Sequence, residues 1–165
     1  LYKDASGASK RVDSIRTLIN AQAAHNQDFL LFISVNTDNH DNGEIRNVIE
    51  TLGRDLSKLG VNIDTTIQEY LRHPLDEARL KLYVPYVISQ LSTSSYDCEL
   101  MKPIYYSGNR DTRMMHFAFY LVRTRGFAAG KPSRQTFVRI INLPVFECVD
   151  GQLNETDFGI QSVNV

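Results

Sequence analysis

Met114-Met115-His116-Phe117-Ala118-Phe119-Tyr120-Leu121-Val122 is the stretch on which the fold of this chain turns. Successive side chains of a strand point to opposite faces, so Met115, Phe117, Phe119 and Leu121 form one face and Met114, His116, Ala118, Tyr120 and Val122 the other. Both faces are largely apolar, which predicts a central strand. Downstream, Phe137, Arg139 and Ile141 alternate with Val138 and Ile140 in a second strand, and Phe158 to Val165 makes a last short one. Upstream, the alternation begins at Tyr96. Ser107-Gly108-Asn109, a loop from Gly126 to Ser133 and a segment opened by Asp150-Gly151 carry turn chemistry. This half of the chain reads as a four-strand antiparallel meander.

The first half has a different period. Val12, Ile15, Leu18, Ile19 and Ala23 recur at three and four, one face of a helix, with Ser9 placed to cap its start. The block Phe29-Leu30-Leu31-Phe32-Ile33-Ser34-Val35 is too short for a lone helix and is bounded by polar residues. It reads as a buried strand, with a continuation of the first helix as the competing reading. Ile45, Val48, Ile49, Leu52, Leu56 and Leu59 predict a second helix, capped by Asp41 or Asn42 and ended at Gly60. Asp64 or Thr65 opens a short third one through Ile67, Tyr70 and Leu71, stopped by Pro74. Leu75 to Leu91 is read as two short helices meeting at Pro85. No repeat or long linker divides the chain, so residues 1–165 are expected to form a single globular domain.

The expected class is therefore α+β, a helical N-terminal half packed on a C-terminal four-strand antiparallel meander. That order is shared by scaffolds of the cystatin-like and NTF2-like type, an analogy of fold that does not carry function.

Composition narrows the classes further. The 165 residues are 42% hydrophobic with a formal net charge of −1, too apolar and too balanced for a disordered tail. Two cysteines are too few for a disulfide-built mini-protein. The longest uninterrupted apolar run, Phe117 to Val122, is far short of the roughly 20 residues of a membrane-spanning helix. Leu1 in place of Met suggests a processed or trimmed terminus. Cys98 and Cys148 fall in strand-like segments and read as reduced thiols filling a core, with a disulfide as the other option. Asn154-Glu155-Thr156 is a glycosylation sequon of a kind that arises by chance, and the compartment stays open.

Catalytic and metal chemistry finds no complete pattern. Asp38, Asn42 and Gly43 match the first, fifth and sixth positions of a calcium loop, but His40 and Ile49 stand at the third and twelfth. A Cys/His dyad would need Cys98 or Cys148 beside His116 on a neighbouring strand. Asp97, Glu99 and Lys102 lack the spacing that puts a nuclease's acid and lysine on one strand face. Phosphate loops, nucleophile elbows and closely spaced Cys/His pairs are all missing, so neither a cofactor nor a metal is implied.

Charge placement says more. Residues 1–101 carry ten basic and fourteen acidic side chains. Within 102–139 stand eight basic residues, Lys102, Arg110, Arg113, Arg123, Arg125, Lys131, Arg134 and Arg139, against Asp111 alone. The leading expectation is a non-enzymatic interaction or assembly domain. It contacts a protein partner or another subunit through a basic hairpin tip made of Arg123, Arg125, Phe127, Lys131 and Arg134. The alternative is RNA or single-stranded DNA bound by the basic and aromatic segment 102–139, with Tyr105 and Tyr106 stacking on bases. A third reading is a small-ligand domain or enzyme with a pocket between sheet and helices, near His116 and Tyr120.

Overall fold

The computed structural model describes residues 7–37, 42–107, 113–124, 134–160 and 162–163. Among them the chain order is α1 (Gly7–Ala24), β1 (Phe29–Asn36), α2 (Asn42–Lys58), α3 (Asp64–Arg72), α4 (Asp76–Ser92), β2 (Tyr96–Leu100), β3 (Ile104–Ser107), β4 (Arg113–Arg123), α5 (Arg134–Asn142), β5 (Val145–Val149) and β6 (Gln152–Thr156). The class is α+β as expected, with most of the helices N-terminal. The sheet is mixed and six-stranded rather than a four-strand antiparallel meander.

β4 is its centre. One side of β4 pairs antiparallel with β1 along its whole length, from Phe29 opposite Leu121 to Asn36 opposite Met114. Its other side takes β2 first, Leu100 opposite Phe119, and then β3, Ile104 opposite His116. One extra residue therefore lies in Met101-Lys102-Pro103, a bulge that splits what would be one long strand into two. β5 adds to β3 in parallel and β6 closes on β5 as an antiparallel hairpin, leaving β1 and β6 at the two ends of the order. The hairpin turn is Asp150-Gly151, with φ of +49° and +77°. Those are the left-handed values that a two-residue turn between right-twisted strands demands.

Local chemistry accounts for the helices. α2 ends where Gly60 takes φ +76° and donates its N–H to Ser57 O, while the Val61 N–H reaches Leu56 O; the two bonds close the last turn. α4 runs unbroken through Pro85, where two short helices were expected. Proline costs a helix roughly 3 kcal/mol, but α4 packs against α1, α2, α3, α5 and β2, and Ala78, Leu80, Leu82, Val84, Tyr86 and Ile88 are all buried. Packing on every side outweighs the missing hydrogen bond.

The segment read as a strand at 137–141 is helix α5. Phe137, Val138, Ile140 and Ile141 are buried while Arg139 is exposed, the pattern of a helix face; five residues of this kind satisfy both periods. The loop expected at Gly126 to Ser133 lies outside the described residues, and the described elements before and after it are β4 and α5 rather than two strands. The last strand forms at Gln152–Thr156, and Asp157–Ile160 is turn and coil.

The helices cover one face of the sheet. Leu31, Tyr96, Leu100, Tyr105, Met115, Phe117, Phe119 and Leu121 are buried there, with Phe117 and Phe119 stacked at 6.3 Å. No described helix is long and apolar enough to cross a membrane.

Candidate interaction surface

Among the described residues, no helix lies over the opposite face of the sheet. Side chains directly across a ladder share a face. Leu30, Phe32 and Ser34 of β1 therefore stand beside Tyr120, Ala118 and His116 of β4, and next to them come Ile104 and Tyr106 of β3. Phe146 and Cys148 of β5 and Leu153 of β6 continue the row. Phe32 is 71% exposed and Leu30 51%, and Met101, Ile104 and Leu153 are exposed as well. An apolar strand run of this kind reads as buried on both faces. The described helices bury one face and leave the other uncovered.

β1 is thus an edge strand and not the buried one its composition predicts. Places where local pattern and global fold disagree are where function is to be sought.

Polar groups decorate the middle of this face. Ser34 Oγ lies 2.7 Å from His116 Nδ1, and the Tyr106 ring stacks on the imidazole at 5.2 Å and 13°. Among the described residues no carboxylate stands at ion-pair distance from His116, so the Ser/His contact lacks the third group that orients a catalytic base. Cys98 pairs with Leu121 and faces the helices, the other side from His116. Burial pushes its thiol up to about 12, with Asp97 adding to the rise and a hydrogen bond to Ser92 opposing it. Cys98 and Cys148 are both free thiols.

His116 and Tyr120 lie on the bare face, away from the helices. A pocket of about 250 Å³ does lie between sheet and helices, lined by Ser89, Cys98, Phe119, Gln135, Thr136 and Arg139 among others.

The basic residues singled out from the sequence have diverse placements. Arg123 is engaged within the fold: its N–H donates to Asp28 Oδ1 at 2.6 Å, its Nη1 to Ser95 O at 2.7 Å, and its guanidinium sits 5.6 Å from the centre of the Tyr96 ring. Arg134 is exposed at the first turn of α5, while Arg125, Phe127 and Lys131 fall outside the described residues. Lys102 pairs with Glu155 at 2.8 Å, Arg139 with Glu99 at 3.1 Å and Arg113 with Glu77 at 3.5 Å. Of the two tyrosines, Tyr105 is 7% exposed and turned to the core, while Tyr106 is 36% exposed on the bare face.

Two ionisable groups that sequence reading passed over are buried one turn apart on α4. Glu77 is fully buried, its Oε1 accepting from Thr37 Oγ1 at 2.6 Å and its Oε2 without a hydrogen-bond partner. Lys81 donates to the Tyr70 hydroxyl at 2.8 Å and to Ile141 O at 2.7 Å, tying α4 to α3 and to the end of α5. Nothing in their spacing marks them, since Glu and Lys at i and i+4 are the ordinary pair of an exposed helix face.

Among the described residues no cluster of His, Cys, Asp and Glu is suited to hold a metal ion. In comparisons with known proteins, no family model, no curated protein and no solved structure matches the chain.

Proposed function

We propose that this chain is a non-enzymatic assembly domain that binds a second subunit of its own kind through the bare side of its sheet. One observation carries the reading: the apolar Leu30 and Phe32 stand exposed on the face of β1 that the described helices do not cover. A second subunit supplies the missing cover. The basic stretch of sequence after Arg123, with Arg125, Phe127, Lys131 and Arg134, adds positive charge that steers encounter more than it adds affinity.

Sedimentation of the intact chain over a range of concentrations, at low and at high salt, tests this. The expected result is a mass that rises with concentration and persists at high salt, because burial of apolar surface is not screened. A chain that stays monomeric throughout overturns it.

A nucleic-acid reading draws on the exposed Tyr106 ring and the cations of segment 102–139. It is weakened by the ion pairs of Lys102, Arg113 and Arg139, whose charges are met by carboxylates of this chain. A labelled oligonucleotide that shifts at about 50 mM salt and is released at higher salt would favour it over assembly.

A further inference from the structure

We infer that the open edge of β1 pairs antiparallel with β1 of a second copy of this chain about a two-fold axis, fusing the two sheets into one. This rests on the reading of the chain as an assembly domain, and places the contact at the edge of β1 and its flanking side chains rather than over the whole bare face. The Thr37 N–H donates to Arg113 O at 2.9 Å, in continuation of the β1–β4 ladder. Alternate residues of an edge strand point their backbone groups to opposite sides. If Thr37, Val35, Ile33, Leu31 and Phe29 face β4, then Leu30, Phe32 and Ser34 aim their N–H and C=O groups outward, where no described strand pairs with them.

Proteins guard such edges with charge, proline, bulges or short length. The other flanks of this sheet follow that rule. β6 is five residues long and carries Glu155, and β2, also five residues, carries Asp97 and Glu99. β1 has eight residues, none of them charged and none proline, and runs in unbroken register from Phe29 to Asn36. An unguarded edge of that length is a pairing surface.

The chemistry of the strand selects the occupant. Antiparallel pairing about a two-fold sets β1 against itself, so the row Phe29, Leu31, Ile33 and Val35 meets the same row of the second copy and no like charges face each other. Phe29, Ile33 and Val35, on the helix side of β1, are only half-buried by their own subunit. A second copy brings a strand beside β1 and a helix layer on the same side of the fused sheet, and so covers these residues, while Leu30 and Phe32 line up beside their counterparts on the outer face. Contact confined to the edge and its flanking side chains buries on the order of 1,000 Å², at the lower limit for a specific interface, so the dimer is weak and depends on concentration.

The test is the dimer dissociation constant of the intact chain by analytical ultracentrifugation, for wild type, Phe32→Lys, Phe32→Pro and Leu153→Lys. Phe32→Lys puts a charge on the edge and Phe32→Pro removes an N–H aimed at the partner; Phe32 is exposed, so a circular-dichroism melt should remain close to wild type. Both Phe32 variants are expected to weaken the dimer about tenfold or more, while Leu153→Lys, on the far edge strand, leaves it unchanged. A wild-type dimer that Leu153→Lys weakens as well overturns the edge pairing and leaves assembly through the bare face standing, whereas one that ignores both Phe32 variants overturns both. A wild type that is monomeric at every concentration overturns both and leaves the edge to a strand from a different protein.

Discussion

Lys81 Nζ lies 2.8 Å from the Tyr70 hydroxyl in a part of the core where the lysine is 2% exposed. Burial lowers the ammonium from its usual 10.5 to about 8, with the charge of Asp157 opposing the change. The unfolded chain therefore holds this proton up to about pH 10.5 whereas the folded one releases it near pH 8, and stability rises with pH between those values. Burial raises Tyr70, Tyr83 and Tyr86 above the usual 10.0, so the unfolded chain loses their protons first and stability falls above about pH 10. Urea titrations should show a maximum between about pH 9 and 10, with a rise from neutral pH on the order of 2 kcal/mol. Lys81→Met should flatten that rise and keep the alkaline fall; an unchanged profile would refute the assignment to Lys81.

Thr37 is the nearest donor to the fully buried Glu77 carboxylate, at 2.6 Å, with Arg113 farther off at 3.5 Å. Thr37→Val keeps the shape and removes the hydroxyl, and should cost about 1–3 kcal/mol, the penalty of an unsatisfied buried polar atom. Thr37→Ser retains the donor and should recover most of that loss. Equal destabilisation by the two variants in a denaturant titration would mean that the methyl, not the hydroxyl, matters here.

Asn142 grips the chain near Val163 from both sides, its Nδ2 donating to Val163 O and its Oδ1 accepting from the Val163 N–H, each at 2.8 Å. Asn142→Ala removes two hydrogen bonds and should lower stability by about 1–2 kcal/mol. Amide exchange ought to speed up at Val163 and leave the β4 amides as they were. Faster exchange across the whole sheet would instead show a global loss.

The Cys98 thiol, pushed up to about 12 by burial, should resist alkylation in the native protein near pH 8 and label at the rate of unfolding. Mild denaturant should speed its modification in proportion to the unfolded fraction. Rapid native labelling would indicate that the pocket lined by Ser89, Cys98 and Arg139 admits the reagent.

Much of this architecture was legible in the residues because it follows from local rules. The two-sided apolar alternation of Met114–Val122 marked the central strand, the three-and-four spacing up to Leu59 with Gly60 marked α2, and Asp150-Gly151 marked a turn. The errors arose where two periods fit the same few residues, as at Phe137–Ile141, or where packing overrode a local cost, as at Pro85 in α4. The basic segment 102–139 was correctly counted and incompletely understood. Its cations Lys102, Arg113 and Arg139 meet Glu155, Glu77 and Glu99, and all three carboxylates lie well apart from them in the chain.

By itself the sequence determined that β4 is largely apolar on both faces and that β1 carries apolar side chains on each, because side-chain alternation is a property of adjacent residues. Only the tertiary structure decided which face of β1 is covered and which is left in water. That outcome depends on where the helices come to rest and on which strand takes the edge, and no short window of residues contains either. The unguarded strand at Phe29–Asn36 is where the two levels disagree, and that disagreement is what points to a partner.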